Sequence, residues 1–552
     1  MSKTTSPFFA GPKTGPLPTT DLLSWMFDDQ GYDCNKKIYI DASDTTRFIT
    51  SAIAKSIVRK LAKGLRDAGL NKGDCVLVHA FNDIYYSMLV LGIVAAGGVF
   101  TATNPAYTAR EMEYHIKASN AQFIITEPEM LPTILEVANK SDINIKDIWI
   151  FHPLKDQKVP AGEKSWEELL TKGESDWVRF DDERLAREAT AFRLFSSGTT
   201  GLPKAVDISH LNLMAQHVAV SEFKPKPYEP ISIIPLPMFH VACVPHAHVV
   251  LLRAGRTAYI LRRFDLELYL STVEKYGINE LGLVPPLAVL LVMSPLTKKY
   301  SLRNIKTVLI GAAPLSKDIQ ARLKNTVNPD KNPLVNQVWG MTESTCIATM
   351  FHNMEDDDTG SVGRLLPNLE AKLVDGAGND ISAYDTPGEI CLRGPTMIKG
   401  YYNNDAANRE SYDSDGFYHT GDIGLCDGKT KKWYIVDRKK ELIKVRGFQV
   451  APPELEGILL EHPHIVDAAV IGVVAETHGS ELPRAYVVRR PGSNLEEQEV
   501  KEYMKTKVAS YKQLEGGVVF LDAIPKNASG KILKNALREL ARKEMAAVKA
   551  KL

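Results

Sequence analysis

Residues 194–204, which read LFSSGTTGLPK, carry the side chains of a phosphate-binding loop. The segment contains four hydroxyl side chains and two glycines, and it ends on a lysine. Glycines let backbone N–H groups approach a polyphosphate, hydroxyls donate hydrogen bonds to its oxygens, and a lysine neutralises part of its charge. The predicted phosphate contacts are Ser196, Ser197, Gly198, Thr199, Thr200, Gly201 and Lys204.

The same segment differs from a Walker A loop. Its glycines are too close together, and Lys204 is followed by Ala205, where a P-loop has the Ser or Thr that binds Mg²⁺. A flexible surface turn rich in Ser, Thr and Gly is the alternative interpretation of this composition. The segment therefore indicates phosphate chemistry of a kind other than that of the P-loop class.

Composition excludes several other classes of function. The 552 residues include 67 Lys plus Arg and 67 Asp plus Glu, and this balance argues against a nucleic-acid-binding protein. The most apolar stretch, residues 88–100, is too short to span a bilayer and predicts a buried helix leading into a strand. Six cysteines without a CxxC pair indicate neither a disulfide framework nor a zinc cluster: Cys34, Cys75, Cys243, Cys346, Cys391 and Cys426.

The elements that must position the phosphate loop follow an alternating pattern. Short β-branched runs separated by helical lengths are typical of βαβ units, so the sequence predicts a large α/β body. The predicted strands of this body cover residues 75–80, 99–101, 123–126, 148–151, 231–236, 281–284, 307–310 and 335–339.

The pattern changes towards the C-terminus. Short strands at 371–374, 389–393 and 433–436 predict a small β subdomain after Ser361. Beyond it, strands at 468–474 and 485–488, a helix from Glu496 and a last helix carrying Leu533, Leu537 and Leu540 predict a compact α+β domain. We place the boundary near residues 437–440, which divides the chain into domains 1–438 and 439–552.

Six motifs occur in an order that resembles the acyl-adenylate-forming superfamily. They are SSGTTGLPK at 196–204, WGMTE at 339–343, TGD at 420–422, DRKKELIK at 437–444, GFQVAP at 447–452 and PKNASGK at 525–531. Within that superfamily the chain looks most like 4-coumarate:CoA ligases, fungal aryl and fatty acyl-CoA ligases, and beetle luciferase. The resemblance covers nearly the whole chain.

The resemblance implies two half-reactions and three co-reactants. A carboxylate attacks the α-phosphate of ATP to form an acyl-AMP and pyrophosphate, and the thiol of coenzyme A then displaces AMP. The implied co-reactants are ATP, Mg²⁺ and coenzyme A. The implied fold is a large N-terminal adenylate-forming domain, with α/β and β subdomains, and a small mobile C-terminal domain.

The resemblance also assigns roles to single residues. Thr342 contacts the α-phosphate, Glu343 holds Mg²⁺, and Lys531 swings into the large domain to stabilise charge at the reacting phosphate. Asp422, expected in a glycine-flanked turn, and Arg438 bind the ribose, although isolated charges in such positions are usually surface groups. The remaining nucleotide contacts are Gly311, Ala312, Trp339, which stands where many relatives carry Tyr, and Gly340.

The same resemblance implies an acyl pocket, a hinge and a coenzyme A channel. The implied pocket consists of Phe239, His240, Gly311, Gly340, Cys346 and Ile347, with His240 near the nascent acyl phosphate and Cys346 an unreactive wall residue. The implied hinge is Lys440, and the implied coenzyme A channel includes Lys444, Gly447 and Phe448. An aromatic propenoate, an arylacetate and a medium-chain fatty acid all suit this pocket.

Several functions fit the motifs to different degrees. An acid:CoA ligase is the leading hypothesis, and a ligase that passes the acyl group to a carrier protein is the second. A luciferase-like oxygenase is a third alternative, whereas the intact Lys531, Glu343 and Asp422 argue against a non-catalytic nucleotide-binding regulator.

The last three residues, Ala550-Lys551-Leu552, resemble a Ser-Lys-Leu peroxisomal address. A receptor reads such a tripeptide at a free carboxyl end, so we expect a peroxisomal import receptor as a partner and the peroxisome as the location. Coincidence within a basic helical tail is the alternative. No transmembrane segment is expected.

Overall fold

The computed structural model describes residues 8–140, 142–196, 203–330, 333–352, 354–439, 441–445, 448–474, 481–508, 510–527 and 530–549. Among these residues, no helix combines the length and the apolar character that crossing a lipid bilayer requires. The predicted α/β body is confirmed, and it contains two large sheets.

The first sheet has eight strands. Six of them run parallel, and the hairpin made by Thr190–Ser196 and Lys204–Ser209 adds an antiparallel edge. In spatial order the strands are Gly400–Tyr401, Lys204–Ser209, Thr190–Ser196, Val99–Ala102, Cys75–His79, Ala121–Thr126, Asp147–Ile150 and Lys164–Ser165.

The second sheet has seven strands, and only its edge pair is antiparallel. Parallel strands present their carboxyl ends at one edge, where open α/β sheets bind ligands. In spatial order the strands are Leu334–Gln337, Thr307–Ile310, Glu280–Leu283, Ile231–Ile234, Thr257–Ile260, Lys37–Asp41 and Phe48–Thr50. The eight strands predicted for the α/β body lie within two residues of observed strands at both ends.

The third sheet forms the predicted β subdomain. Its five strands are antiparallel: Phe9–Ala10, Glu370–Val374, Gly388–Arg393, Tyr418–Cys426 and Trp433–Arg438. The first of these strands was not predicted, because a two-residue pairing with a segment 360 positions away leaves no local pattern. A short ribbon nearby pairs Thr349–Met350 with Arg364–Leu365.

Helices cover the sheets of the large body. Helix Tyr86–Ala96 is buried along its whole length and leads into strand Val99–Ala102, as residues 88–100 predict. The other α-helices of this body are Leu22–Phe27, Ser51–Asp67, Ala109–Ser119, Leu131–Ala138, Glu183–Glu188, His210–His217, Leu251–Ala254, Leu266–Lys275, Pro285–Met293, Lys317–Val327 and Asp405–Ser411. Shorter 3₁₀ turns are Pro128–Met130, Trp166–Thr171, Pro295–Lys298 and Thr342–Ser344, and π-helical turns are Val218–Glu222 and His246–Val250.

The C-terminal region has its own apolar core. A ribbon of Ile443–Val445 and Phe448–Val450 precedes a three-stranded sheet of Ile465–Val474, Glu481–Arg489 and Val518–Phe520. Helices Pro452–Leu460, Glu497–Lys505 and Lys534–Lys549 and the turn Ser510–Lys512 complete it. Leu537 is buried, but Leu533 precedes the last helix and is 42% exposed, so its predicted place on the helix is wrong.

Candidate active site

A cavity of about 630 Å³ lies at the carboxyl end of the second sheet, between the large body and the C-terminal region. It gathers predicted residues from segments far apart in the sequence. Those lining it are Ser196, Lys204, His240, Gly311, Ala312, Trp339, Gly340, Thr342, Glu343, Cys346, Ile347, Asp422, Arg438 and Lys531. Phe239 does not line this cavity, because it packs against the core of the large body.

A hairpin of the first sheet carries the predicted phosphate loop. Ser196 ends one strand and pairs with Lys204, which begins the next, so the loop must close this hairpin. The buried hydroxyl of Ser196 has no hydrogen-bond partner within the described part of the chain, and such an atom suits a phosphate oxygen. Ser197, Gly198, Thr199, Thr200 and Gly201 lie outside the described residues.

Glu343 is held in place by tyrosines that the sequence analysis missed. It lies on the turn Thr342–Ser344 after a strand end, and it is 8% exposed. The Tyr401 hydroxyl donates to its Oε1 at 2.9 Å and contacts the Tyr418 hydroxyl at 2.7 Å. Burial raises the pKa of both tyrosines, so both remain hydrogen-bond donors at neutral pH. No motif marks these tyrosines in the sequence.

The surroundings of Glu343 suit a Mg²⁺ ion bound through a nucleotide. Mg²⁺ commonly takes one or two carboxylates together with substrate phosphates. Within the described residues there is no cluster of three or more His, Cys, Asp and Glu side chains that can hold a metal by itself. Glu343 is a single buried carboxylate beside the hairpin that carries the predicted phosphate loop, here called the phosphate hairpin. This arrangement fits such a mode of Mg²⁺ binding.

Asp422 lies in a strand, so its predicted place in a turn is wrong. It belongs to Tyr418–Cys426 and stands opposite Arg438 in the adjacent strand. Arg438 Nε lies 3.4 Å from Asp422 Oδ1, and the Trp339 indole N–H donates to Oδ2 at 2.8 Å. Two rigid elements therefore orient a carboxylate of the kind that can accept hydrogen bonds from ribose hydroxyls.

Lys531 reaches the cavity from the C-terminal region. Its backbone N–H donates to Asn527 Oδ1 at 2.9 Å, which fixes the loop before the last helix. A Cβ atom on the adjacent Gly530 would lie only 2.9 Å from Pro286 Cγ, so this loop packs closely on the large body. Burial and then Arg438 lower the pKa of Lys531 to about 8, although nearby carboxylates oppose that change.

His240 lines the cavity as a neutral ring. The Ala242 backbone N–H donates to its Nδ1 at 3.2 Å, which assigns the proton of the neutral ring to Nε2. Burial and the nearby Lys531 lower the pKa of His240 to about 4. The ring is therefore a neutral donor at physiological pH.

The backbone is strained at Ala312, a predicted nucleotide contact, and at Cys346, a predicted acyl-pocket residue. Ala312 has φ 74° and Cys346 has φ 111°, and side-chain-bearing residues adopt such angles rarely. A Cβ atom on Gly340 would lie 1.7 Å from the Cys346 carbonyl oxygen, so only glycine fits there. Burial raises the pKa of the Cys346 thiol to about 12, which suits an unreactive wall residue.

Glu389 is a further buried residue of the site that no sequence motif marks. It accepts hydrogen bonds from the Gly421 backbone N–H at 3.1 Å and from Lys439 Nζ at 2.9 Å. Burial alone would raise its pKa, but His419 and Lys439 hold the pKa at about 2. This carboxylate links the strand carrying Asp422 to the segment that enters the C-terminal region.

The structure describes only some of the residues of the predicted hinge and coenzyme A channel. Lys440 and Gly447 lie outside the described residues, as do the side chains of Lys444 and Phe448. The third sheet ends at Arg438, and the C-terminal core begins at Ile443. The boundary at 438/439 stays a prediction, as do the roles of the hinge and channel residues.

Comparisons with known proteins identify a family and its relatives. The profile of a family described as AMP-binding enzyme matches residues 28–402, and that of the AMP-binding enzyme C-terminal domain matches residues 454–531. The chain is 52% identical over 535 residues to phenylacetyl-CoA ligase epaB of Aspergillus niger, which covers 96% of this chain and 99% of that protein.

Solved structures of one further protein are similar to this chain. The chain is similar to ATP-bound MatB from Rhodopseudomonas palustris, with 27% identity and a TM-score of 0.82 over 94% of this chain and 98% of that one. The apo form of MatB gives a TM-score of 0.72 at 26% identity and the same coverage. The chain is therefore more similar in overall structure to the ATP-bound form of that protein than to its apo form.

Proposed function

The chain belongs to the AMP-binding enzyme family and is an AMP-forming acid–CoA ligase, and we propose that it activates an arylacetate or a medium-chain carboxylic acid. One observation carries the proposal. A single cavity brings Lys531, His240 and Asp422 together beside Gly311, Gly340, Cys346 and Ile347, the uncharged residues of the predicted acyl pocket.

In the first half-reaction, a carboxylate oxygen of the acid attacks the α-phosphorus of ATP. The bond from that phosphorus to the bridging oxygen breaks, and pyrophosphate leaves with the electron pair. Lys531 and the His240 N–H stabilise the negative charge that develops on the reacting oxygens, and Thr342 contacts the α-phosphate. Asp422 and Arg438 hold the ribose, which keeps the reacting atoms aligned.

Glu343 is the residue that would hold Mg²⁺. When bound, this ion neutralises charge on the phosphates as a Lewis acid. Tyr401 and Tyr418 orient the carboxylate towards the phosphate hairpin, so they act as positioning residues for the metal.

In the second half-reaction, the sulfur of coenzyme A attacks the acyl carbon, and the bond to the AMP oxygen breaks. Lys531 occupies the cavity in the present structure, so the C-terminal region must move before a thiol can approach. The segment with Lys444, Gly447 and Phe448 would then line the channel for coenzyme A.

Phenylacetate and similar acids are the first substrates to test, because a relative with 52% identity bears the name phenylacetyl-CoA ligase. Pyrophosphate release should be measured for phenylacetate, cinnamate and straight-chain acids, each with and without coenzyme A. We expect release with phenylacetate or a medium-chain acid, and thioester formation when coenzyme A is present. If acyl-AMP forms but its acyl group is never transferred to coenzyme A, a carrier protein is favoured as the acceptor.

We also propose that Ala550-Lys551-Leu552 directs the enzyme to peroxisomes through the import receptor. The support is the small-basic-Leu pattern of the tripeptide, which lies outside the described residues. A fluorescent protein fused to the N-terminus of this chain should co-localise with a peroxisomal marker. Removal of the tripeptide should abolish that co-localisation, and an unchanged distribution would contradict the proposal.

A further inference from the structure

The cavity extends well beyond the catalytic residues, along one face of the second sheet. Side chains alternate between the faces of a strand, and the lining residues follow this alternation. Strand Thr307–Ile310 and the residue after it contribute Thr307, Leu309 and Gly311. From Gly311 at the catalytic end to Thr307 at the far end, four residue steps cover about 13 Å.

We call the part of the cavity between Gly311 and Thr307 the tunnel. The adjacent strand, Glu280–Leu283, leaves free space at the middle of this tunnel. Gly282 stands beside Leu309 in the sheet, and a Cβ atom built on it would meet no atom within 4 Å. It is exposed although both neighbours, Leu281 and Leu283, are buried. A larger side chain at this position would therefore project into free space between the two ends of the cavity.

The far end of the tunnel is charged. Lys226 forms an ion pair with Glu280 Oε1, and the Tyr228 hydroxyl donates to the same oxygen at 2.9 Å. Arg256 also lines this end, but its guanidinium has no ion pair or side-chain hydrogen bond to any residue that the structure describes. Because Lys226 neutralises Glu280, one positive charge remains at this end. Burial opposes that charge and lowers the pKa of Arg256.

Three buried side chains at the same end have polar atoms without partners in the described part of the chain. Gln216 Oε1, His217 Nδ1 and Ser221 Oγ belong to residues that are 2%, 1% and 7% exposed. Two of these residues end the helix before the π-helical turn Val218–Glu222, and Ser221 lies within it. Such turns occur frequently at functional sites, and buried polar atoms normally find partners.

An apolar substrate tail would not satisfy this end of the cavity. It would remove water from the Arg256 guanidinium without replacing those hydrogen bonds, and it would leave the three buried polar atoms without partners, which is costly. A substrate oxygen can accept hydrogen bonds from the Arg256 guanidinium and the Ser221 hydroxyl, and a substrate hydroxyl can also donate to Gln216 Oε1. A chain advances about 1.2 Å per bond when extended, so about ten bonds separate the two ends.

We propose that the acid is a medium-chain carboxylic acid whose far end carries an oxygen function, a hydroxyl, carbonyl or carboxylate group, that Arg256 binds. This inference rests on the proposed function and narrows its substrate class. Arg256 is then a specificity-determining residue at the end of the cavity away from the reacting carboxylate.

Matched acids test the proposal directly. The kcat/KM for pyrophosphate release should be measured for decanoate, for its ω-hydroxy analogue and for decanedioate. We expect at least one oxygenated acid to exceed decanoate by about tenfold or more in the unmodified enzyme. Arg256→Met should reduce that ratio to near one. Equal or better use of decanoate, or a ratio that Arg256→Met leaves unchanged, would overturn the proposal.

Two further variants sharpen the result. Arg253 lines the surface pocket beyond Arg256 but not the tunnel, so Arg253→Met is the matched control and should leave the ratio unchanged. Gly282→Leu should lower kcat/KM for all three ten-carbon acids relative to phenylacetate, because it blocks the middle of the tunnel. Equal loss for phenylacetate would contradict the assigned path.

Calorimetric binding separates this inference from the proposed function. If no acid releases pyrophosphate, the proposed function fails. Tighter binding of an oxygenated acid than of decanoate to the unmodified enzyme, lost in Arg256→Met, would then still support the polar tunnel. The absence of that difference in binding would refute the inference even if phenylacetate is converted to its thioester.

Discussion

Lys531 and Lys534 are three positions apart, yet their surroundings assign them different roles. Lys531 faces the cavity, where burial and Arg438 lower its pKa to about 8. Lys534 is buried and lies 3.4 Å from Glu441 and 3.2 Å from Glu456. Burial opposes its charge, but these carboxylates raise its pKa overall. Lys531 can therefore act on a substrate, whereas Lys534 stabilises the fold of the C-terminal region.

Replacement of Lys531 separates the half-reactions. We expect Lys531→Ala to lower acyl-AMP formation by about 10²- to 10³-fold, the usual effect of losing one electrostatic stabiliser. Conversion of preformed acyl-AMP to thioester should be largely retained, because Lys531 must leave before the thiol attacks. Pyrophosphate release and thioester formation are measured separately, and equal loss in both would contradict the assignment.

The lowered pKa of Lys531 predicts a pH effect. Only the protonated ammonium stabilises negative charge, so kcat/KM for acid activation should fall as pH rises through about 8. A guanidinium stays protonated throughout this range, so Lys531→Arg should lose the fall even if its overall rate is lower. A fall that persists in Lys531→Arg would mean that another group titrates.

Trp339 acts through Asp422. Trp339→Phe removes the 2.8 Å hydrogen bond and leaves Arg438 as the side chain that orients the carboxylate. We expect KM for ATP to rise about 5- to 20-fold, with a smaller change in kcat. In an Asp422→Ala background the same substitution should have little further effect. An equal loss in both backgrounds would show that the indole acts independently of Asp422.

At the scale of elements, the strand positions of the body follow from β-branched runs between helical lengths. The prediction from sequence is wrong where pairing between distant strands decides the local conformation. Residues 420–424 contain two glycines around Asp422 and have the composition of a turn, and Gly421 has φ 72°. Pairing with the two neighbouring strands nevertheless keeps this segment within a strand, with a shift of register in both ladders at this point.

The motifs of the site were predictable because each is local, whereas the supporting residues are not. Tyr401 reaches Glu343 across 58 positions of the sequence, Tyr418 contacts Tyr401 across 17, and neither tyrosine belongs to a local pattern. The polar end of the tunnel is similar, since Arg256 and Gln216 meet only when the second sheet and its helices assemble. Chemistry carried by one loop can be predicted from sequence, but chemistry shared between elements requires the fold.

The junction between the third sheet and the C-terminal region carries a buried carboxyl group. Burial raises the pKa of Asp437 to about 7 although Lys534 opposes this, and Asp437 Oδ2 has no hydrogen-bond partner in the described part of the chain. Glu441 and Glu456 lie nearby and also disfavour its ionisation. A neutral side chain would therefore suit this position above neutral pH.

Asp437→Asn should stabilise the protein in a pH-dependent way. The favourable contribution of protonated Asp437 is complete below its unfolded pKa near 4 and is lost as pH rises through about 7. Above pH 8 the variant should gain about 1 to 3 kcal/mol, and the gain should shrink towards pH 4. Thermal unfolding measures this difference, with the exposed Asp358→Asn as control. A gain independent of pH would contradict the explanation.

At the scale of the whole molecule, the structure is in an arrangement suited to acyl-AMP formation. Lys531 lines the same cavity as Asp422 and Glu343, and the loop with Gly530 packs on Pro286. No thiol can use the space that Lys531 occupies. We therefore propose that the two half-reactions use two placements of the C-terminal region relative to the large body.

Lys440→Pro tests this rotation. The Lys439 N–H donates to the Gly421 carbonyl at 2.8 Å, so the third sheet anchors the chain immediately before the predicted hinge. Proline fixes φ near −65° and restricts the preceding residue, which opposes rotation at this point. Thioester formation from preformed acyl-AMP should fall by about 10²-fold or more, while pyrophosphate release is largely retained. Lys440→Ala should retain both steps, and unchanged thioester formation in Lys440→Pro would place the hinge elsewhere.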